Sequence, residues 1–213
     1  MKYNIYSFTT LLSLLLLSVS CGSGKMAIPQ LKPSADNVTL TSTFTDIAFK
    51  TGAENFECYL PMLKDKRVGI VTNQTGILSK EKHLVDFLLE QNVNLQKIYA
   101  PEHGFRGTAD AGELIVDGKD TKTNLPIISL YGNNKKPKSE QLEGIDILVF
   151  DLQDVGARFY TYISSLHYVM AACAENKIPL LVLDRPNPNG TIIDGPILEK
   201  EHKSFVVMHE ITD

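Results

Sequence analysis

From residue 67 onward, short apolar runs alternate with helix-length amphipathic segments. The runs 68–72, 95–100, 127–130, 147–150 and 180–183 are rich in Val, Ile and Leu, as strands buried on both faces must be. Between the first two, Leu84, Val85, Leu88 and Leu89 recur at helical spacing and predict a helix over 80–91, capped by Ser79 and carrying Glu81 in its first turn. Between the fourth and fifth, Ile163, Leu166, Val169, Met170 and Cys173 make one stripe and predict a second helix over 160–176. Pro179 then starts the last strand. Strands alternating with helices build a parallel sheet, so the expected class is α/β with an open, mostly parallel sheet and helices on both faces.

Such a sheet binds ligands in the crevice outside the carboxyl ends of its strands. Polar residues collect at each of those ends: Asn73-Gln74-Thr75, Glu102-His103, Tyr131-Gly132, Asp151-Leu152-Gln153-Asp154 and Asp184-Arg185-Pro186-Asn187. Loops are polar by default. The repeated choice of carboxylate, amide and Arg over Ser and Lys goes further and predicts one shared cleft.

The loop Ala100-Pro101-Glu102-His103-Gly104-Phe105-Arg106-Gly107 stands out, because glycines let the backbone turn while an acid, an imidazole and a guanidinium crowd together. Glu102 is the first candidate for an acid–base carboxyl, with Asp151 and Asp154 behind it. Asp154 reads equally as an N-cap for the helix beginning near Phe159. The candidate binding residues are Asn73, Gln74, His103, Arg106, Arg158, Tyr160, Tyr162, Asp184, Arg185 and Asn187. Arg158 and Arg185 stand where a guanidinium clamps a ligand carboxylate, or pairs internally with Asp154 or Asp184. Tyr160 and Tyr162 offer ring faces to a ligand or pack against the sheet edge. Glu113 reads as solvated or substrate-orienting.

Composition narrows the chemistry. A net charge of −4 without a basic stripe argues against nucleic acid as a partner. Cys58 and Cys173, two thiols far apart in sequence, make neither a disulfide framework nor a metal cluster; both read as small buried apolar residues, with a single bridge between them as the alternative. The five histidines, His83, His103, His167, His202 and His209, lack ligand spacing. No G-x-G-x-x-G, H-E-x-x-H, C-x-x-C or G-x-S-x-G motif is present, so neither a dinucleotide, a metal nor a serine nucleophile is expected. A cleft of carboxylates, amides, Arg and aromatics suits a sugar, and a glycosidic bond needs one carboxyl held ready as a proton donor.

The N-terminus reads as a signal. Lys2 precedes an apolar, Ser-rich run over 8–19, and Ser18-Val19-Ser20-Cys21 resembles the lipobox of bacterial lipoproteins, although Ser18 replaces the usual Leu. Cys21 is then the lipidation site, and the expected location is the cell envelope, anchored to membrane by lipid on the periplasmic side. An ordinary cleaved signal is the alternative. Gly22-Ser23-Gly24-Lys25 lacks the first glycine of a phosphate loop and the strand before it. The polar, Thr- and Ser-rich stretch 22–56 reads as a tether, and 57–213 as one α/β domain.

Four blocks carry a family resemblance: Arg67-Val68-Gly69-Ile70-Val71-Thr72-Asn73-Gln74-Thr75-Gly76, Pro101-Glu102-His103-Gly104-Phe105-Arg106-Gly107, Asp151-Leu152-Gln153-Asp154-Val155-Gly156-Ala157-Arg158-Phe159-Tyr160-Thr161-Tyr162 and Leu183-Asp184-Arg185-Pro186-Asn187-Pro188. Together, over residues 56–209, they resemble the bacterial exo-β-N-acetylmuramidases of the NamZ type. The resemblance implies a Rossmann-like N-terminal domain, a smaller C-terminal domain beyond Asp213, and release of N-acetylmuramic acid from the non-reducing end of peptidoglycan-derived muropeptides. It also implies that Glu102 is a catalytic carboxylate, and the lactyl carboxylate of that sugar accounts for an Arg in the cleft. Without the second domain, weak or no activity is expected of this chain alone. The competing reading is a non-catalytic muropeptide-binding lipoprotein.

Overall fold

Val68–Thr72 (β1) is buried at every position and runs through the middle of a six-stranded sheet. The computed structural model describes residues 49–107 and 117–209, all within the unit Asp46–Asp213. The stretch read as a signal, Cys21, most of the stretch read as a tether, and Glu113 lie outside the described residues. The other strands are Leu95–Ala100 (β2), Gly118–Lys119 (β3), Pro126–Ser129 (β4), Ile147–Asp151 (β5) and Leu180–Val182 (β6). Their order is β3-β4-β2-β1-β5-β6, parallel throughout except for β3, which runs antiparallel along the β4 edge.

The chain steps outward from β1 through β2 to β4, then returns to build β5 and β6 on the other side of β1. That reversal opens a crevice above β1 and β5. Thr72 pairs with Asp151 and Ala100 with Ser129, so the strands end level and their following loops share one rim.

Alternation along the strands divides the core in two. Val68, Ile70, Ile98 and Val149 face Phe56–Leu63 (α1) and Leu84–Glu90 (α2), where Tyr59, Leu63, Leu84, Val85 and Leu88 cover them. Val71, Tyr99, Leu148 and Phe150 face Ser139–Leu142 (α3) and Tyr162–Asn176 (α4), where Leu142, Tyr162, Val169 and Cys173 cover them. Helices on both faces make this the expected α/β class.

Three local expectations shift. The 80–91 helix begins only at Leu84, because Ile77 and His83 form an antiparallel bridge across a short turn in which Glu81 adopts a left-handed φ of 58°. Its cap is His83, whose Nδ1 accepts from the Val85 N–H at 3.2 Å, and Ser79 instead opens the 3-10 turn Ser79–Glu81. The second helix begins at Tyr162, with Thr161 in the cap position. Asp154 caps nothing, since its Oδ1 accepts from the Gly156 N–H at 2.7 Å in a turn of its own.

Folding also starts before residue 57. The Gly52–Glu54 turn buries Ala53, and the Gly52 N–H donates to the Asp184 carbonyl at 2.7 Å. A Cβ on Gly52 would lie 2.4 Å from the Asp184 backbone nitrogen, so glycine is required by close approach. Both the N–H and the hydroxyl of Thr51 donate to Glu54, the T-x-x-E signature of a helical start hidden in the polar stretch.

Candidate active site

Asn73, directly after β1, is fully buried and organises the crevice. Its Nδ2 donates to the Tyr162 hydroxyl at 2.8 Å, its Oδ1 accepts from the N–H and hydroxyl of Thr75, and its carbonyl meets His83 Nε2 at 2.8 Å. Burial pushes the His83 pKa down, which suits an imidazole accepting at Nδ1 and donating at Nε2. The Thr75 hydroxyl in turn accepts from the Gln153 N–H at 3.0 Å, tying the β1 loop to the β5 loop.

Asp151, the last residue of β5, is completely buried, and its carboxylate takes a bidentate grip from Arg185, with Nε to Oδ1 at 2.6 Å and Nη2 to Oδ2 at 3.0 Å. Nη2 of Arg185 also reaches the Ile77 carbonyl at 3.1 Å. Burial pushes the Asp151 pKa up and the guanidinium opposes that shift. Both oxygens are engaged, so this pair is architecture rather than a proton donor open to substrate. The internal partner of Arg185 is therefore Asp151, and not the adjacent Asp184.

The remaining residues of the β5 and β6 loops hold one another. Gln153 Nε2 donates to the Pro186 carbonyl at 2.8 Å and Asn189 Nδ2 to the Val155 carbonyl at 2.9 Å. The Asn187 side chain accepts from the Asn189 N–H and packs into the space that a Cβ on Gly156 would occupy. Arg158 donates to the Pro196 carbonyl, and Asp184 is exposed with its carbonyl on Gly52. Tyr160 is open to solvent beside Phe159, whereas Tyr162 is buried on Asn73.

Glu102 sits apart from that ion pair, in a cavity of about 510 Å³ lined also by Tyr131, Lys135, Thr161, Phe205 and Val206. The left-handed backbone at His103 and Gly104 turns the chain sharply after β2, with the Gly104 N–H returning to the Pro101 carbonyl. The Thr161 hydroxyl donates to Glu102 Oε2 at 2.9 Å. The Tyr131 phenol hydrogen-bonds the same carboxylate, which raises the phenol's pKa and keeps it a donor. Burial and the Glu102 charge likewise raise the pKa of Tyr162, against the effect of its Asn73 hydrogen bond. Among the described residues lining the cavity, Glu102 is the one carboxylate.

Arg106 points elsewhere. It lies 4.5 Å over the Phe105 ring and grips Asp120 through Nε at 3.1 Å and Nη2 at 2.8 Å. With Gln74 it lines a separate cavity of about 530 Å³, among Asp86, Glu90 and Lys122. Of the described residues singled out in sequence as site residues, Glu102 alone lines the cavity shared with Tyr131 and Thr161, while Asn73 and Tyr162 pair beneath the strand ends and Arg106 and Gln74 line the other cavity. Tyr131 and Thr161 escaped selection as site residues although both follow strand ends. Lys135 and Phe205 had no local signal.

The sequence profile described as the N-terminal part of the exo-beta-N-acetylmuramidase NamZ matches residues 68–212. This chain belongs to the NamZ family. It is 50% identical over 155 residues to the peptidoglycan beta-N-acetylmuramidase NamZ of Bacillus subtilis (strain 168), an alignment covering 72% of this chain and 37% of that protein. Two crystal structures of DUF1343 family proteins from Bacteroides fragilis NCTC 9343 share the fold. One has 44% identity and a TM-score of 0.70 over 76% of this chain and 41% of its own; the other has 47% and 0.67 over 76% and 42%. The chain spans less than half the length of these relatives. Within the NamZ family region, the 101–107 block supplies Glu102 and the 151–162 block supplies Thr161, so two sequence-distant blocks meet in one hydrogen bond.

Arg185→Met leaves the Asp151 carboxylate buried without its partner and is expected to cost about 3–5 kcal/mol in urea denaturation. Asp120 gives the pH dependence. Burial works against its ionisation, but hydrogen bonds from Arg106 and Thr123 bring its pKa from an ordinary 3.8 down to about 2. A folded pKa below the unfolded value stabilises the fold above about pH 4, and this contribution is lost as pH falls through about 2. Asp120→Asn is expected to remove about 2 kcal/mol at neutral pH and to flatten stability between pH 4 and pH 2, measured by denaturant titration across pH.

Proposed function

We propose that this chain carries the catalytic half of a glycosidase that releases N-acetylmuramic acid from the non-reducing end of peptidoglycan fragments. The observation that carries the reading is the single carboxylate of the cavity: Glu102, held by Tyr131 and Thr161, faces a space open to a ligand, while Asp151 is occupied by Arg185. The name of the Bacillus subtilis relative supports the choice of reaction and sugar.

In this reading the Glu102 carboxyl delivers its proton to the glycosidic oxygen as the bond to the anomeric carbon breaks, and the leaving sugar departs as an alcohol. Two neutral hydroxyl donors fix the direction of the carboxyl before substrate arrives. The positive charge developing on the sugar needs a second group. The acetamido carbonyl of the substrate itself can supply it, and water then opens the resulting ring and returns a proton to Glu102. Asp151 acts as a positioning residue, holding the β1, β5 and β6 loops beneath this chemistry.

We further propose attachment to the envelope membrane through lipid on Cys21, supported by the Ser18-Val19-Ser20-Cys21 sequence behind an apolar run.

Glu102→Gln is expected to lower release of the chromogenic group from a β-N-acetylmuramide by about 10²- to 10⁴-fold while leaving the unfolding transition in place. Turnover equal to wild type would remove Glu102 from the chemistry, and tight sugar binding with no product from wild type would favour a binding protein. Cys21→Ser is expected to move the protein from the detergent phase to the aqueous phase in Triton X-114 partitioning; unchanged partitioning would reject the anchor.

A further inference from the structure

Every arginine near the crevice is occupied: Arg106 by Asp120, Arg185 by Asp151, and Arg158 by the Pro196 carbonyl. The cation that lines the Glu102 cavity is Lys135. Its ammonium lies 4.6 Å from the centroid of the Phe205 ring, and Phe205 is itself stacked on Tyr168 at 5.9 Å. An aromatic face steadies an ammonium without neutralising it, so the charge stays available to an anion. Glu102 and Lys135 share this cavity without an ion pair between them among the described residues. A carboxyl able to act on a glycosidic bond and a positive charge therefore line the same space.

N-acetylmuramic acid differs from N-acetylglucosamine by a lactyl ether, whose carboxylate is the only charge on the sugar. We propose that Lys135 receives that carboxylate and is the residue by which the cavity separates the two sugars. The inference rests on the function proposed above and replaces the expected Arg with a Lys. A Lys presents a compact point charge on a flexible stem, which suits a carboxylate carried on a rotatable ether. The Phe205 ring limits where that stem can go.

The test is calorimetric binding of N-acetylmuramic acid, its lactyl methyl ester and N-acetylglucosamine to the full chain. Wild type is expected to prefer the free acid over the ester and over N-acetylglucosamine by about tenfold or more, the size of one charge-assisted hydrogen bond. Lys135→Met keeps a stem over Phe205 and is expected to bring the free acid down to the affinity of the ester while leaving ester binding unchanged. Lys135→Arg is expected to restore most of the preference. If wild type prefers the acid and Lys135→Met keeps that preference, the assignment of Lys135 is overturned and the function stands. If wild type binds neither the acid nor the ester, both fall. Loss of ester binding in Lys135→Met would show a packing role for the side chain and would also reject the assignment.

Discussion

The buried pair between Asp151 and Arg185 is the contact on which the crevice depends. It joins three segments distant in sequence: the end of β5, the loop after β6 and, through the Ile77 carbonyl, the loop after β1. A charge removed from water is costly, and a bidentate guanidinium offsets that cost only with good geometry. The requirement propagates outward. Gly76 must lack a side chain, since a Cβ there would lie 2.3 Å from Thr72 Oγ1 and 3.2 Å from Asp151 Oδ2. Gln153, Asn187 and Asn189 then fasten the β5 and β6 loops to each other around the pair.

On that base the Glu102 carboxyl is positioned by neutral groups. Thr161 occupies the cap position of α4 but makes no side-chain bond to the helix; its hydroxyl goes to Glu102 instead. A helix start gives up a local hydrogen bond, worth about 1 kcal/mol, to orient a residue 59 positions away. His103 adopts a left-handed backbone that a β-carbon disfavours, and the resulting turn carries Glu102 back toward Tyr131 and Thr161. Local preference yields to the site at both positions.

The charges of the molecule sort by depth and partner. Arg185 and Arg106 are consumed in structural pairs with Asp151 and Asp120. A planar guanidinium suits this use, because it satisfies both carboxylate oxygens at once. Lys135 lies against an aromatic face and lines the Glu102 cavity.

The strand cores at 68–72 and 95–100, the α/β class and the placement of polar clusters at strand ends were all legible, because apolar period and length are properties of a segment by itself. The two-residue β3 and four-residue α3 were not, since elements that short are set by their neighbours rather than by their own pattern. The helix α2 started late because His83 was drawn into a bridge with Ile77 and a hydrogen bond to Asn73, contacts invisible to helical spacing. Glu102 could be singled out because its loop concentrates chemistry within a few residues. Which carboxylates and guanidiniums would neutralise one another could not, because side chains carry charge but not direction. Tertiary packing alone decided that Asp151 is sealed by Arg185 and that Glu102 and Lys135 line one cavity.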